Sequence, residues 1–323
     1  MIKAVRNMRT LTDGHLATEK TGENMFLVMG ITGRTGGSIA RHLLAQGKRV
    51  RALVRDRARA SDWALRGVDV VEGDMSDPNA IAEALAGVDG AFIMLPPVYM
   101  PSRDFSESRV LIDAYSQALR ITPPPRLVVL SSNGAEKTSG LGAITPLSLL
   151  ERELDDLPCP TAFIRPGSFY ENFLHGLQSA RDGVFATFYA NTAEKQPMTA
   201  IEDIAAEAAK LLSSAAWIGK RVIELGSMVS ADEIAAALGA VIGREVEAKS
   251  VPREEWAGTL HAMGFPEGQT WAFEEIYDGV NAHWIGFGVD GTEQVEGTTS
   301  AREVFSAAQE TALHGTQDRS DFA

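Results

Sequence analysis

The stretch MFLVMGITGRTGG at positions 25–37 restricts this chain more than any other, because an apolar run passes directly into a glycine-punctuated turn. Met25 to Met29 reads as a buried strand. Gly30, Gly33 and Gly36 follow at three-residue intervals, and Ser38 to Gln46 carries the apolar period of a helix that Gly47 ends. A strand, a tight turn and a helix in that order form a phosphate cradle. Side chains at the glycines would keep a pyrophosphate from the backbone N–H groups at the helix N-terminus, where the macrodipole favours negative charge. Since the chain holds 30 glycines, spacing alone is weak, and the weight comes from the elements on either side.

Those elements continue the pattern. Arg49 to Val54 is a second strand ending at Arg55, where dinucleotide folds place either an acid for the ribose hydroxyls or an arginine for a 2′-phosphate. Arg55, with Arg34 inside the turn, favours NADP over NAD, with Asp56 left as the alternative ribose ligand. Further strands are expected at Val68–Val71, Gly90–Leu95, Arg126–Leu130, Thr161–Arg165 and Arg221–Leu225. Between the third and fourth, Asp77-Pro78 opens a helix over Asn79–Ala86. Thr199 with Glu202 has the form of a capping box ahead of the stripe Ile201, Ile204, Ala205, Ala208, Leu211 and Leu212. Strands alternating with helices predict an α/β fold with a doubly wound, mainly parallel sheet, and a ligand across the carboxyl ends of its strands.

Beyond Leu225 the pattern changes. Ser230 and Glu233 cap a helix over Glu233–Val241, and a strand follows near Val246–Val251. Trp256, Phe265, Trp271, Phe273, Tyr277, Trp284 and Phe287 then crowd a smaller α+β lobe that either roofs an apolar pocket or packs as plain core. The expected division is a disordered leader over 1–24, a nucleotide domain over 25–166 plus 198–226, a substrate lobe over 167–197 plus 227–310, and a flexible tail over 311–323. Met25 could also be the true start, while Lys3, Arg6 and Arg9 leave a weak organelle-presequence reading.

Composition removes several classes. A net charge of −13 argues against direct binding to nucleic acid, which needs a basic face. Cys159 is the single cysteine, so neither an internal disulfide nor a thiolate metal cluster is possible, and no apolar run is long enough to span a bilayer. The six histidines lack metal-ligand spacing, and no G-x-S-x-G element marks a serine hydrolase. A cytoplasmic protein, monomeric or homodimeric and without metal, is expected.

Taken in order, the glycine turn, Arg55, Gly73-Asp74-Met75-Ser76-Asp77, Leu95-Pro96-Pro97, Ser131-Ser132-Asn133 and Arg165-Pro166-Gly167-Ser168-Phe169-Tyr170-Glu171-Asn172 resemble the NmrA-like family of atypical short-chain dehydrogenase/reductases. The resemblance runs from about Met25 to Ala308, through Ala200-Ile201-Glu202-Asp203-Ile204-Ala205 to Glu296-Gly297-Thr298-Thr299. It implies an NADP-binding Rossmann domain in which Gly30, Thr32, Gly33, Arg34, Thr35, Gly36 and Arg55 hold the phosphates. By the same resemblance Asp74 and Met75 lie by the adenine, Leu95 and Pro96 by the ribose, and Ser131, Ser132, Asn133, Phe169 and Tyr170 around the nicotinamide and a small apolar or aromatic substrate.

One departure from the wider reductase pattern matters. None of the five tyrosines is followed four residues later by lysine, the pair that normally supplies an acid of lowered pKa. The tyrosine would fall near Thr145 and a lysine near Leu147, while Lys137 lies outside the motif and reads as a surface residue. Two functions follow from the resemblance. One is an NADPH-dependent reductase of a quinone, enone or iminium, with Ser132, Asn133 and Tyr170 at the acceptor. The other is a non-catalytic NADP(H)-binding regulator that acts through protein partners.

Overall fold

The computed structural model describes residues 24–215 and 217–320, with side chains described as far as Thr311. All of the expected leader except Asn24 lies outside the described residues. Strand β1 (Met25–Val28) leads through the glycine turn to helix α1 (Arg34–Ala45). There follow β2 (Arg49–Val54), α2 (Ser61–Leu65), β3 (Asp69–Glu72), α3 (Pro78–Leu85), β4 (Gly90–Ile93), α4 (Ser106–Ile121), β5 (Leu127–Leu130), α5 (Thr145–Glu153) and β6 (Thr161–Pro166). The chain then leaves through β7 (Ser168–Phe169), α6 (Gly176–Ala180), β8 (Val184–Thr187) and β9 (Lys195–Thr199), and returns for α7 (Ile201–Ser213) and β10 (Lys220–Leu225). A second excursion holds β11 (Ser227–Ser230), α8 (Ala231–Ile242), β12 (Glu247–Ser250), α9 (Trp256–Ala262) and α10 (Trp271–Asn281). Finally come β13 (Glu293–Val295) and α11 (Ala301–Ser320), which continues through the Thr311 where the loose tail was expected.

Eight strands form one sheet in the order β13-β10-β6-β5-β4-β1-β2-β3, and every neighbouring pair is parallel. Parallel strands need both faces covered, which explains their unbroken apolar runs. Alternation then sorts the side chains: Phe26 and Val28 pack with Ile39, Leu43 and Ile204 beneath α1 and α7, while Met25 and Leu27 pack with Ile81, Ile112 and Leu150 beneath α3, α4 and α5. Because all eight strands point one way, the loops after β1 to β6 share one edge. The strand order reverses beside β1, and the crevice between β1 and β4 is the switch point where open α/β sheets take ligands.

The excursions build the lobe. It has a three-stranded sheet, β11-β9-β7, and a parallel pair, β12-β8, around a third core of Tyr170, Phe173, Phe185, Ile234, Leu238 and Phe305. Ser230 and Glu233 make the expected reciprocal cap on α8, with bonds of 3.1 Å and 2.7 Å. The Thr199–Glu202 box does not form. Thr199 ends a strand and donates its hydroxyl to the Leu225 carbonyl, Glu202 turns to Ser38 and His42 on α1, and the Ile201 N–H is taken at 3.0 Å by Glu171 from the lobe. β13, from the stretch expected in the lobe, pairs instead with β10 at the edge of the main sheet.

Asp203 explains why two distant motifs travel together. Only 7% exposed at the start of α7, it accepts the Thr298 and Thr299 hydroxyls at 2.9 Å each, and both of their amides at 3.1 Å. Asp203→Ala would bury several donors without partners and is expected to cost about 3 kcal/mol of stability. Urea unfolding should show a lower midpoint at unchanged slope, and a variant as stable as wild type would refute the clamp.

Candidate functional site

The glycine turn sits at the carboxyl end of β1. Gly30 has φ +71°, a conformation free of strain only for glycine, and the Gly33 N–H closes the turn on its carbonyl at 2.9 Å. Gly36 permits the close approach of α1 to β1: a Cβ there would overlap the Gly30 carbonyl and lie 2.6 Å from the Met29 oxygen. Gly33 is the N-cap of α1 without a side-chain cap, and no acid occupies the first turn. The amides of Arg34, Thr35 and Gly36 thus open the helix with no side chain of the cap to satisfy them, an arrangement suited to anionic oxygens.

A cleft of about 430 Å³ lies in front of them, lined by Thr32, Gly33, Arg34, Ser38, Arg41, Glu171, Ile201 and Glu202. Arg34 and Arg41 are exposed, and neither has a hydrogen-bond or ion-pair partner among the described residues. The acids beside them differ. Glu202 is engaged by Ser38 and His42 at 2.7 Å each, whereas one Glu171 oxygen is buried without a partner, and burial pushes this carboxyl above its usual range. Along the same edge, Arg55 is exposed just past β2 and makes no hydrogen bond or ion pair among the described residues. The Ser76 amide and hydroxyl, with the Arg55 charge behind them, hold the Asp74 carboxyl below its usual range. Asp56, the alternative ribose ligand, caps its own loop by accepting the Ala58 N–H at 2.9 Å. Met75 is half-buried near Tyr115, Leu95 is buried after β4, and Pro96 is half-buried. These groups fit a dinucleotide: uncapped amides for the pyrophosphate, guanidiniums for further phosphate and apolar surface for the bases.

The end of β5 is tied to β6 by charge. Ser131 turns its hydroxyl inward onto Glu151, which also receives Arg165 at 2.9 Å and 2.6 Å. Arg165 reaches Glu136 at 3.1 Å, and Lys137 lies 3.6 Å from Glu136 and 4.5 Å over the Trp284 ring. Lys137 is therefore a half-buried link to the lobe rather than a surface residue. Ser132 donates to Asn133 at 3.2 Å, which leaves the Asn133 amide hydrogens unspent at the strand end. Phe169 packs against the core under α1, but Tyr170 packs into the lobe core, where burial and the charges of Asp203 and Glu233 push its phenol up to about 12.

A second cleft, of about 480 Å³, is lined by the β4–α4 loop (Arg103, Phe105), the β5–α5 connection (Thr138, Ser139, Gly140), the first residue of α5 (Thr145) and the lobe (Arg253, Trp271, Glu274, Glu275, Asp278). Thr145, where the family's tyrosine would fall, is in its wall. The lobe's aromatic residues divide: Trp271 lines this cleft, while Trp256 and Tyr277 stack with Phe188 and Tyr189 as core. Arg41, Glu151 and Arg103 carry no local motif, and although Arg165 opens one, nothing in it signals the ion pairs with Glu151 and Glu136 that the fold brings together.

This architecture matches known proteins. The chain is 29% identical over 255 residues to an NAD(P)H azoreductase of Xenophilus azovorans, covering 78% of this chain and 86% of the relative. It is 26% identical over 249 residues to quinone oxidoreductase 2 of Escherichia coli, with 76% and 84% covered. The crystal structure of the Escherichia coli NADPH-dependent quinone oxidoreductase with NADPH superposes at a TM-score of 0.69 with 26% identity, across 88% of this chain and 99% of that one. The profile of the NmrA-like family matches residues 23–302, so the chain belongs to the NmrA-like family.

Proposed function

We propose that the protein is an NADPH-dependent reductase of a small conjugated acceptor of the quinone, enone or iminium type. The reading is carried by one juxtaposition: the uncapped amides of α1 and the unpaired Arg34 and Arg55 share a sheet edge with a separate cleft between that edge and the lobe. The names of the azoreductase and quinone oxidoreductase relatives support it. Bound nicotinamide would supply the hydride. Arg34 and the turn amides would hold the pyrophosphate, and Arg55 the 2′-phosphate that distinguishes NADPH from NADH. Leu95 and Pro96 would exclude water beside the ribose. Asn133 would donate its unspent amide hydrogens, and Ser132 its hydroxyl once turned from Asn133, to the oxygen of a quinone or enone, which gains one proton for each hydride, whereas an iminium gains none.

Water supplies that proton in this reading. Thr145 stands where a tyrosine would be, and its hydroxyl is too weak an acid to replace one. Tyr170 does not fill the gap, because a phenol held at about 12 inside the lobe core stays neutral and fixed. A quinone suits such a site, since its reduced oxygens can take protons from solvent after transfer.

With a panel of quinones and enones, reduced-nicotinamide absorbance should fall in proportion to the acceptor consumed. If none is reduced while NADPH still binds, the protein is a non-catalytic NADP(H) binder instead. The rate profile should also lack a tyrosine limb. Tyr170 keeps its proton up to about 12, so it contributes stability that is complete below its ordinary value near 10 and is lost as pH rises between the two. Reduction rates between about pH 6 and 9 should therefore show no phenol ionisation, and Tyr170→Phe should keep the wild-type profile. A new limb in that variant would contradict this assignment.

A further inference from the structure

The second cleft carries charge that the reductase reading leaves unused. Of its five charged side chains, four are committed. Arg253 donates to Glu274 at 2.7 Å and to both Asp278 oxygens at 2.8 Å and 2.9 Å, Glu274 also accepts the Thr270 hydroxyl at 2.6 Å, and Glu275 accepts the Gly142 N–H at 3.1 Å. Arg103 is the exception. It has no hydrogen bond or ion pair among the described residues, and its guanidinium carbon lies 4.2 Å over the Trp271 ring. Stacking on a ring face uses the flat side of a guanidinium and leaves its N–H edges free for a carboxylate, sulfonate or phosphate.

The loop that carries Arg103 is held in place. Phe105 occupies the left-handed region at φ +55°, which bulky residues rarely adopt, and is buried against Trp271 at 5.7 Å between ring centroids. Its neighbour Ser102 is fastened by Glu107, which accepts the Ser102 amide at 3.0 Å and its hydroxyl at 2.5 Å. The same loop carries Leu95 and Pro96 at its start, just past β4, and Arg103 near its end in the cleft wall.

We propose that Arg103 is a specificity-determining residue: the preferred acceptor is a flat conjugated molecule with an anionic substituent, which binds the Arg103 guanidinium while the reducible part lies toward Ser132 and Asn133. The inference rests on the reductase reading for what the molecule is and on this cleft alone for its charge. The anion could be a carboxylate, a sulfonate or a phosphate monoester. Five of the six acid oxygens on the cleft wall already face Arg253, Thr270 or the Gly142 amide, which leaves one Glu275 oxygen against the free Arg103 guanidinium, and the cationic probe below tests that balance.

Unreactive probes separate the two claims. Naphthalene-2-sulfonate, 2-naphthoate and 2-naphthyl phosphate, with neutral 2-naphthol and cationic 1-naphthylmethylammonium as controls, would be titrated calorimetrically into the full chain with and without NADP. At least one anion should bind the wild type about tenfold more tightly than either control, and Arg103→Gln should remove that margin while leaving 2-naphthol unchanged. Arg103→Lys should keep part of it, as a point charge without the planar fork. Arg103 is exposed, so these variants leave the core intact. The proposal is overturned if no anion binds, if the cation binds as well, or if Arg103→Gln keeps the preference. Binding of the anions through Arg103 without reduction of any quinone would instead sustain this subsite and remove the reductase reading.

Discussion

Everything at this protein's working edge depends on how closely α1 approaches β1. Gly36 lies against the carbonyls of Met29 and Gly30 with no room for a side chain, and this contact aims the first amides of α1 out of the crevice between β1 and β4. The fully parallel sheet makes the geometry rigid, because its central strands β1, β4, β5 and β6 are buried on both faces and feed two separate cores. Arg34 and Arg55 add charge to a site whose location the backbone has already decided.

Buried acids fasten the lobe alongside its apolar core. Asp203 grips Thr298 and Thr299, Glu171 receives the first amide of α7, and Glu224, 1% exposed, accepts the amides of Gly288 and Val289 at 2.7 Å and 3.2 Å. Asp203 and Glu224 each spend their charge on several donors, which compensates a carboxylate for loss of water, whereas Glu171 receives one donor and keeps its second oxygen buried without a partner. Phe169 and Tyr170, adjacent in sequence, fall into different cores and mark the point where sheet gives way to lobe. The second cleft opens on the far side of this junction, so the lobe's docking also shapes the wall that holds Trp271.

Seven strands of the main sheet were legible because each has an apolar stretch bounded by glycine, proline or charge, and their predicted ends lie within two residues of those observed, whereas the short, exposed β13 (EQV) carries no such stretch. The cap on α8 was legible because it is local. What escaped prediction is short or depends on distant partners. β7 has two residues, and β9 is the polar KQPMT, which contains a proline, so neither carries a strand pattern. Thr199 and Glu202 had the spacing of a capping box, but the Leu225 carbonyl and the α1 side chains Ser38 and His42 competed for them. At the glycine turn, Gly30, Gly33 and Gly36 were readable from their spacing. Arg165 and Glu151, Lys137 and Trp284, and Arg103 and Trp271 were not, since each pair joins residues that only the tertiary fold brings together.

The central claim is that the mouth of the first crossover takes a phosphorylated dinucleotide through backbone amides and two arginines. Calorimetric titration of NADPH and NADH into the wild type and into an Arg34→Ala, Arg55→Ala double variant tests it most directly. The account predicts one NADPH per chain, bound at least about tenfold more tightly than NADH, with that preference lost in the variant. No uptake of either nucleotide by the wild type, or an NADPH preference that survives loss of both arginines, would contradict it.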